Sequence, residues 1–272
     1  MDTHAHGPVC NNVAWGLLMH SLRVVVASHK PYALPDDPIY LPLQVGAAGR
    51  ATIHGFSRDD DGENISGRNA NWCELTGLYW AWKNLKSDFT GLVHYRRHFK
   101  GCHGIATGAE FLALLQEHDV ILPMPRNYFI ETTYSQYAHA HHAHDLDVTR
   151  QIIAERCSGY LGAFDAVMAS RRGHRFNMFV MSRPVFNAYC AWLFDILFEL
   201  ERRLDLSSYS QNDARVFGFV GERLLDVWIS GAPEGSRPRV VEMPVLHLEG
   251  QDWPLKIARF LGRKLLGCLR RR

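Results

Sequence analysis

The chain has 272 residues, 47% of them hydrophobic and 11% aromatic, which is typical of a globular protein and unlike a disordered one. Its formal net charge of +2 excludes a protein that binds nucleic acid through its overall charge. No apolar run approaches the ~18 residues that a membrane-spanning helix needs, and the first 20 residues lack the pattern of a signal peptide.

The cysteine spacing indicates the redox setting, and the distribution of charge indicates the domain boundaries. The six cysteines form no Cys-x-x-Cys pair, which favours neither a zinc ribbon nor a disulfide scaffold and predicts a reducing, cytoplasmic setting. Seven cations and no acid follow Asp252, whereas the rest of the chain carries 23 basic and 28 acidic residues. We therefore predict a loosely ordered segment at 1–21, one domain at 22–250 and a basic tail at 251–272.

The hydrophobic pattern alternates between strands and helices. In chain order it predicts a strand at 22–30, a short strand or helical turn at 43–48, a polar loop at 57–69, a helix at 71–86, a strand at 89–95, a helix at 107–119, a strand at 119–123, a loop at 124–145, helices at 146–156 and 159–170, a strand at 174–182, helices at 184–204 and 211–230, and a strand at 239–248. Asn69 or Asn71 is expected to cap the first helix, Thr107 and Glu110 have capping-box spacing, and Pro184 suits a first helical turn. This order predicts an α/β fold with a mainly parallel sheet flanked by helices.

Polar residues follow two of the predicted strands. Ser28, His29 and Lys30 end the first, and His94, Tyr95, Arg96 and Arg97 end the second. Open α/β sheets bind ligands at the carboxyl ends of their strands, so we expect these residues near a donor or nucleotide site. An arginine pair there predicts an anionic ligand, with a diphosphate as the first choice, although a solvated strand end would carry the same residues. Strand alternation lets only one arginine share the face of His94.

The loop and helix between these strands offer a second recognition set. Tyr79, Trp80 and Trp82 are interpreted as core packing, and the acidic run Asp59–Asp61 as a solvated turn rather than a metal site. Donor and acceptor groups suited to a sugar or a nucleotide come from Asn64, Ser66, Asn71 and Glu74.

The segment 125–147 is rich in aromatic residues and histidines. Its histidines could bind zinc, could belong to an exposed polar loop, or could line an acceptor site. On the third interpretation Asp145 is a candidate base with His142 as its helper. We expect acceptor contacts from Arg126, Asn127, Tyr128, His139 and Asn177.

A second candidate base lies in the helix 211–230. Glu222 and Arg223 interrupt an otherwise apolar pattern, which indicates either a core ion pair or a catalytic carboxylate. The sequence leaves Asp145 and Glu222 open as alternatives.

The basic tail has the pattern of an amphipathic helix that lies on a membrane. A nucleic-acid patch or a partner-docking helix is the alternative. The residues expected to meet an anionic membrane are Trp253, Lys256, Arg259, Phe260, Arg263, Lys264 and Arg270.

Long motifs in the chain resemble a bacterial glycosyltransferase family that was long catalogued only as a domain of unknown function. They include ENIS, CELTGLYWAWKN, GLVHYRRHF, FNMFVM and ARVFGFVGERLLDVWI, and they extend over about residues 22–248. The family occurs among proteins of capsule, exopolysaccharide and lipopolysaccharide synthesis. The resemblance implies a GT-A-like (Rossmann-like) transferase that uses a UDP-linked donor, and some members resemble galactofuranosyltransferases.

One departure from the usual GT-A pattern bears on the cofactor. Such enzymes usually hold a divalent metal on the diphosphate with an Asp-x-Asp after a central strand, and this strand ends in His-Tyr-Arg-Arg instead. We therefore expect no obligatory metal, with manganese or magnesium as the alternative.

Together these features predict an inverting hexosyltransferase at the inner face of the cell membrane. It would pass a sugar from a UDP-sugar to a lipid-linked bacterial surface glycan and would not bind nucleic acid. A nucleotide-sugar hydrolase or phosphotransferase and a non-catalytic membrane scaffold are the competing functions.

Overall fold

The computed structural model describes residues 20–249. Most of the predicted segment 1–21 and all of the predicted tail 251–272, including its seven membrane residues, lie outside the described residues.

Strands and helices alternate along most of the chain. The strands are β1 (Leu22–Ser28), β2 (Tyr40–Gln44), β3 (Ser57–Arg58), β4 (Phe89–His94), β5 (Arg97–Gly101), β6 (Gly104–Ile105), β7 (Val120–Pro123), β8 (Arg126–Asn127), β9 (Arg172–Gly173), β10 (Phe179–Ser182), β11 (Val240–Met243) and β12 (Val245–His247). The helices are α1 (Asn69–Trp72), α2 (Leu75–Asn84), α3 (Gly108–Leu115), α4 (Thr133–Ala140), α5 (Ala143–Arg156), α6 (Leu161–Ala169), α7 (Arg183–Arg203) and α8 (Val216–Gly231).

The central sheet has the order β11-β7-β10-β4-β1-β2-β3. Strand β1 pairs in parallel with β2 and β4, and β7 pairs in parallel with β11. Strand β10 is antiparallel to both of its neighbours, β4 and β7. The predicted α/β class with a mainly parallel sheet is therefore confirmed.

Burial on both faces explains the composition of β1. Its side chains alternate between two apolar cores, with Val25 and Ala27 in the larger and Val24 and Val26 in the smaller. A strand covered on both faces needs apolar residues at successive positions, and the β-branched run satisfies this. The buried sheet fixes the edge at which β1 and β4 end.

Local helix signals were predicted correctly at two helix starts. The Thr107 side chain accepts the amide of Glu110, whose own side chain accepts the amide of Thr107, which completes the capping box of α3. Pro184 lies in the first turn of α7. Both signals depend only on residues close in sequence, so both can be predicted from the sequence alone.

Three predicted elements were wrong. The helix at 71–86 breaks at Cys73, whose φ of 52° is incompatible with a helix, so the predicted asparagine caps do not start α2. The loop predicted at 124–145 contains α4 and the start of α5, because Thr132 and Ser135 form a capping box. The strand predicted at 174–182 begins only at Phe179.

Strand boundaries also differ from the predictions. The segment 43–48, expected to be a short strand or a helical turn, contains only the end of β2, and the strand expected at 239–248 divides around Pro244 into β11 and β12. The two arginines after β4 do not share a strand end. Arg96 lies in an exposed turn, and Arg97 begins β5 opposite His94.

Candidate active site

The turn at 174–178 joins the end of β4 to two helices. His94 Nε2 lies 2.5 Å from the carbonyl oxygen of Phe176, which ties the turn to the carboxyl end of β4. The Asn177 side-chain amide donates to Glu74 Oε1 at 2.6 Å and to the Gly218 carbonyl at 3.1 Å. The turn therefore brings the start of α2, the end of β4 and helix α8 together.

A partly buried polar cluster anchors the start of this turn. His174 Nδ1 lies 2.5 Å from Asp226 Oδ1 on α8, and its Nε2 lies 3.3 Å from Glu242 Oε1 on β11. Although burial lowers the pKa of His174, hydrogen bonds and charge attraction from the two carboxylates outweigh it and raise this pKa. Arg175 donates to the hydroxyl of Tyr128 and to Thr133 Oγ1, so the turn also contacts the residue after β8 and helix α4.

Glu222 faces the turn from α8. Its Oε1 accepts the amide of Phe176 at 3.2 Å, and 21% of its side-chain surface is exposed. Arg223 lies 3.8 Å away, beyond hydrogen-bonding distance. Burial raises the pKa of Glu222, and the nearby charge of Glu74 acts in the same direction. An accessible carboxylate with a raised pKa has the properties of a general base that works near neutral pH.

Two guanidinium groups lie near these carboxylates. Arg97 stacks on the Phe176 ring at 4.4 Å, and its buried Nε has no hydrogen-bond partner among residues 20–249. Arg215 Nε donates to Cys73 Sγ at 3.1 Å, and burial raises the pKa of that thiol to about 11. Since the thiol is neutral at pH 7, Arg215 keeps its full positive charge for another anion.

The residues that follow β1 occupy the same edge of the sheet. His29 packs edge-on against Tyr95 with the ring centroids 5.4 Å apart, and Lys30 Nζ lies 4.9 Å from the centroid of the Tyr95 ring. Lys30 also pairs with Glu249 at 2.9 Å. Burial and the neighbouring Lys30 lower the pKa of His29. The ends of β1 and β4 therefore lie side by side.

Several residues predicted to bind the sugar donor form hydrogen bonds to other groups of the protein. The buried Ser28 hydroxyl donates to the Lys30 carbonyl. The Asn64 amide donates to carbonyls of its own loop, and Asn71 donates to the Ala214 carbonyl at 2.7 Å. Ser66 is buried and donates to Asp59 at 2.5 Å. These contacts make the loop a rigid support beside the site.

Asp59 corrects the interpretation of the acidic run as a solvated turn. Its carboxylate is fully buried and accepts the amides of Gly46 and Ala47 and the hydroxyls of Ser66 and Thr76. These contacts fix the turn after β2 against the start of α2. Local sequence could not indicate this, because the donors come from separate elements.

Asp145, the other candidate base, lies away from the turn. It is fully buried, and its two carboxylate oxygens accept the hydroxyls of Tyr137 at 2.7 Å and Tyr209 at 2.6 Å. Arg223 contacts both Tyr137 and Glu222. Its guanidinium lies 4.7 Å from the centroid of the Tyr137 ring and 3.8 Å from the Glu222 carboxylate. Asp145 therefore ties α5 to α4 and to the loop that carries Tyr209.

The histidines of the same segment contact different groups, except that His141 and His142 both lie within 4 Å of Asp213. His141 lies 3.1 Å from Asp213, His142 stacks on Tyr209 at 4.1 Å, and His139 pairs with Glu131 at 2.9 Å. Across residues 20–249 no three His, Cys, Asp or Glu side chains are grouped so that they could hold a metal ion.

The predicted acceptor residues Arg126, Asn127 and Tyr128 lie on a small ribbon in which β8 pairs antiparallel with β9. The ribbon adjoins the site, because the Tyr128 hydroxyl contacts Arg175. Asn177 lies in the turn itself, whereas His139 pairs with Glu131.

Sequence reasoning missed Arg175, Phe176, Cys73 and Arg215. Phe176 lies in the motif FNMFVM, which could have drawn attention to it, but its φ of 82° carries no sequence signal of the kind that glycine provides. Arg215 and Cys73 lie far apart in sequence and meet only in the folded protein.

Comparisons with known proteins place the chain in a family. The model described as Domain of unknown function (DUF4422) matches residues 23–233. The apo structure of the WbbM bifunctional glycosyltransferase is similar to this chain, with a TM-score of 0.78 and 27% sequence identity. The likeness covers 85% of this chain and 46% of that chain, so this chain spans about half the length of that protein. No curated protein matches the chain.

Proposed function

Because this chain belongs to the DUF4422 family and has the fold of part of a bifunctional glycosyltransferase, we propose that it is itself a glycosyltransferase. The observation that carries the proposal is the turn at 174–178, in which Phe176 contacts the accessible carboxylate of Glu222 through its amide and the cation Arg97 through its ring. Transfer from a nucleotide sugar needs both a base for the acceptor and a cation for the leaving diphosphate.

In the proposed reaction an acceptor hydroxyl attacks the anomeric carbon of the donor sugar. The bond from that carbon to the diphosphate oxygen breaks, Glu222 takes the hydroxyl proton, and the nucleoside diphosphate leaves with the bonding electrons. A single displacement inverts the anomeric configuration. We choose Glu222 over Asp145 because the buried Asp145 already accepts two tyrosine hydroxyls.

We propose that arginines stabilise the leaving diphosphate without an obligatory metal. Arg97 and Arg215 are the candidates, because neither is neutralised by an ion pair with a carboxylate among residues 20–249. The test is turnover after treatment with EDTA. Unchanged turnover supports the proposal, whereas a loss that manganese or magnesium restores contradicts it.

The donor and acceptor rest on the family resemblance. We propose a UDP-linked donor, with galactofuranose as the first sugar to test. The acceptor would be a lipid-linked glycan of a capsule, an exopolysaccharide or an O-antigen. His29, Lys30 and Tyr95 are suited to the nucleotide, because they form one group where β1 and β4 end, in which His29 and Lys30 are exposed.

The deciding experiment incubates the chain with UDP-sugars and a synthetic lipid-linked acceptor. A glycosylated acceptor with an inverted anomeric centre, identified by NMR, supports transfer. Release of free sugar without a glycosylated acceptor would favour a hydrolase. Absence of UDP-sugar binding by calorimetry would favour a non-catalytic scaffold.

We also propose that the chain works at the cytoplasmic face of the membrane, held there by the basic tail 251–272. No helix among residues 20–249 combines the length and hydrophobicity needed to cross a bilayer. Deleting residues 253–272 should release the protein from anionic vesicles, and unchanged binding would contradict the anchor.

A further inference from the structure

A small ribbon beside the site presents apolar side chains to the solvent. Strands β8 and β9 form it, and residues 129–130, which follow β8 closely, are its tip. Phe129 is 75% exposed and Ile130 64% exposed, and Met124, just before β8, is 56% exposed. These are the three most exposed large apolar side chains of residues 20–249.

Hydrogen bonds hold the tip in this exposed shape. Phe129 has a φ of 59°, an unfavourable conformation for a residue that is not glycine. Its amide donates to Asn127 Oδ1 at 2.8 Å, and its carbonyl accepts from Arg171 at 3.3 Å. The Tyr128 amide donates to the Arg171 carbonyl at 2.8 Å. Strain that is retained to expose a phenylalanine indicates a function for that side chain.

Positive charge surrounds the apolar tip. Arg126, Arg171 and Arg172 are exposed, and none of them forms an ion pair with a carboxylate among residues 20–249. Glu131, the nearest acid in sequence, is buried and pairs with His139. Apolar side chains backed by unpaired cations match the interface of an anionic bilayer, where apolar groups enter the acyl boundary and cations meet lipid phosphates.

We propose that the tip of this ribbon inserts into the surface of an anionic membrane. This contact is distinct from the tail, because residues 124–130 and 171–172 build it. The ribbon contacts the site through Tyr128, whose hydroxyl accepts a hydrogen bond from Arg175. Insertion would therefore hold the acceptor side of the site next to the lipid surface, and this last step rests on the proposed function.

The test measures partition of the full chain into phosphatidylcholine vesicles with and without phosphatidylglycerol, with neither donor nor acceptor present. The double variant Phe129→Ser, Ile130→Ser should weaken partition into the anionic vesicles about tenfold or more. Each of Arg126→Gln, Arg171→Gln and Arg172→Gln should weaken it about fivefold at low salt. Leu34→Ser is the matched control, because it removes an exposed apolar side chain elsewhere, and it should leave partition unchanged.

Hydrogen exchange separates the ribbon from the tail. With anionic vesicles, amides 126–131 should gain protection in the wild-type chain and lose that gain in the double variant. Unchanged partition together with unprotected amides would overturn the proposal. A double variant that binds vesicles normally but loses transfer to a water-soluble acceptor would also overturn it, in favour of a glycan-binding role. Failure of the proposed enzymatic function would leave the vesicle result unaffected.

Discussion

Replacement of Glu222 by glutamine separates catalysis from stability in one variant. A general base contributes about 10²–10⁴ to the rate, so turnover should fall by about that factor, or about 3–5 kcal/mol in the activation free energy. Donor binding should persist, because Glu222 is proposed to act on the acceptor proton. Glutamine can still accept the amide of Phe176, which in the wild type lies 3.2 Å from Glu222 Oε1.

The sign of the stability change follows from the raised pKa of Glu222. In the folded protein burial disfavours the ionised carboxylate, and Arg223 at 3.8 Å is too distant to compensate with a hydrogen bond. The wild type therefore loses free energy of unfolding as the pH rises above the unfolded-state pKa of about 4.3, until the pH passes the folded-state pKa. The glutamine variant does not ionise, so its advantage should be near zero at about pH 4 and should grow towards neutrality.

The assay combines steady-state kinetics, calorimetry with the donor, and denaturant unfolding at several pH values. Turnover lost with donor binding kept and stability raised at neutral pH would support Glu222 as the base. Near-normal turnover would refute the assignment. Lower stability at neutral pH would refute the electrostatic argument, because it would mean that the charge of Glu222 contributes favourably to the fold.

Two other substitutions give contrasting results. Asp145→Asn replaces one acceptor oxygen with a donor and should lower the free energy of unfolding by about 2 kcal/mol, while kcat of the folded fraction stays within about threefold of wild type. A loss of kcat as large as that of the Glu222 variant, at unchanged stability, would identify Asp145 as the base. Arg97→Gln should lower kcat/KM about 100-fold, because the diphosphate loses a stabilising cation. Arg97→Lys keeps the charge without the planar guanidinium, so its kcat/KM should fall less. Equal losses would indicate that Arg97 contributes packing on the Phe176 ring rather than charge.

Structural features can be predicted from the sequence where the residues that cause them are neighbours in the chain. The β-branched run of β1 and the capping box at Thr107 involve neighbours in sequence, so both were found. Glu222 stands out in the sequence because it interrupts an apolar helical pattern. The break at Cys73 was not found, since a positive φ outside glycine leaves no mark in the sequence.

Long-range contacts account for the errors at the site. Asp145 follows several histidines, which suggested catalysis, but its environment is set by the hydroxyls of Tyr137 and the distant Tyr209. Asp59 resembled a solvated acid for the same reason, although its donors come from both sides of the loop. Burial of a carboxylate is decided by its partners, and only the fold supplies these.

Strain at Asn177 gives a further test of the turn as the organising element. Its φ of 50° is costly for a residue with a side chain, yet its amide bridges Glu74 and the Gly218 carbonyl. Asn177→Gly relieves the backbone and loses the bridge, whereas Asn177→Ala loses the bridge and keeps the strain. We expect glycine to be more stable than alanine by about 1 kcal/mol in urea unfolding, and both variants to lose turnover to a similar extent. If glycine restored turnover as well as stability, the backbone conformation alone would be what the site requires, and the contact with Glu74 would have no part in it.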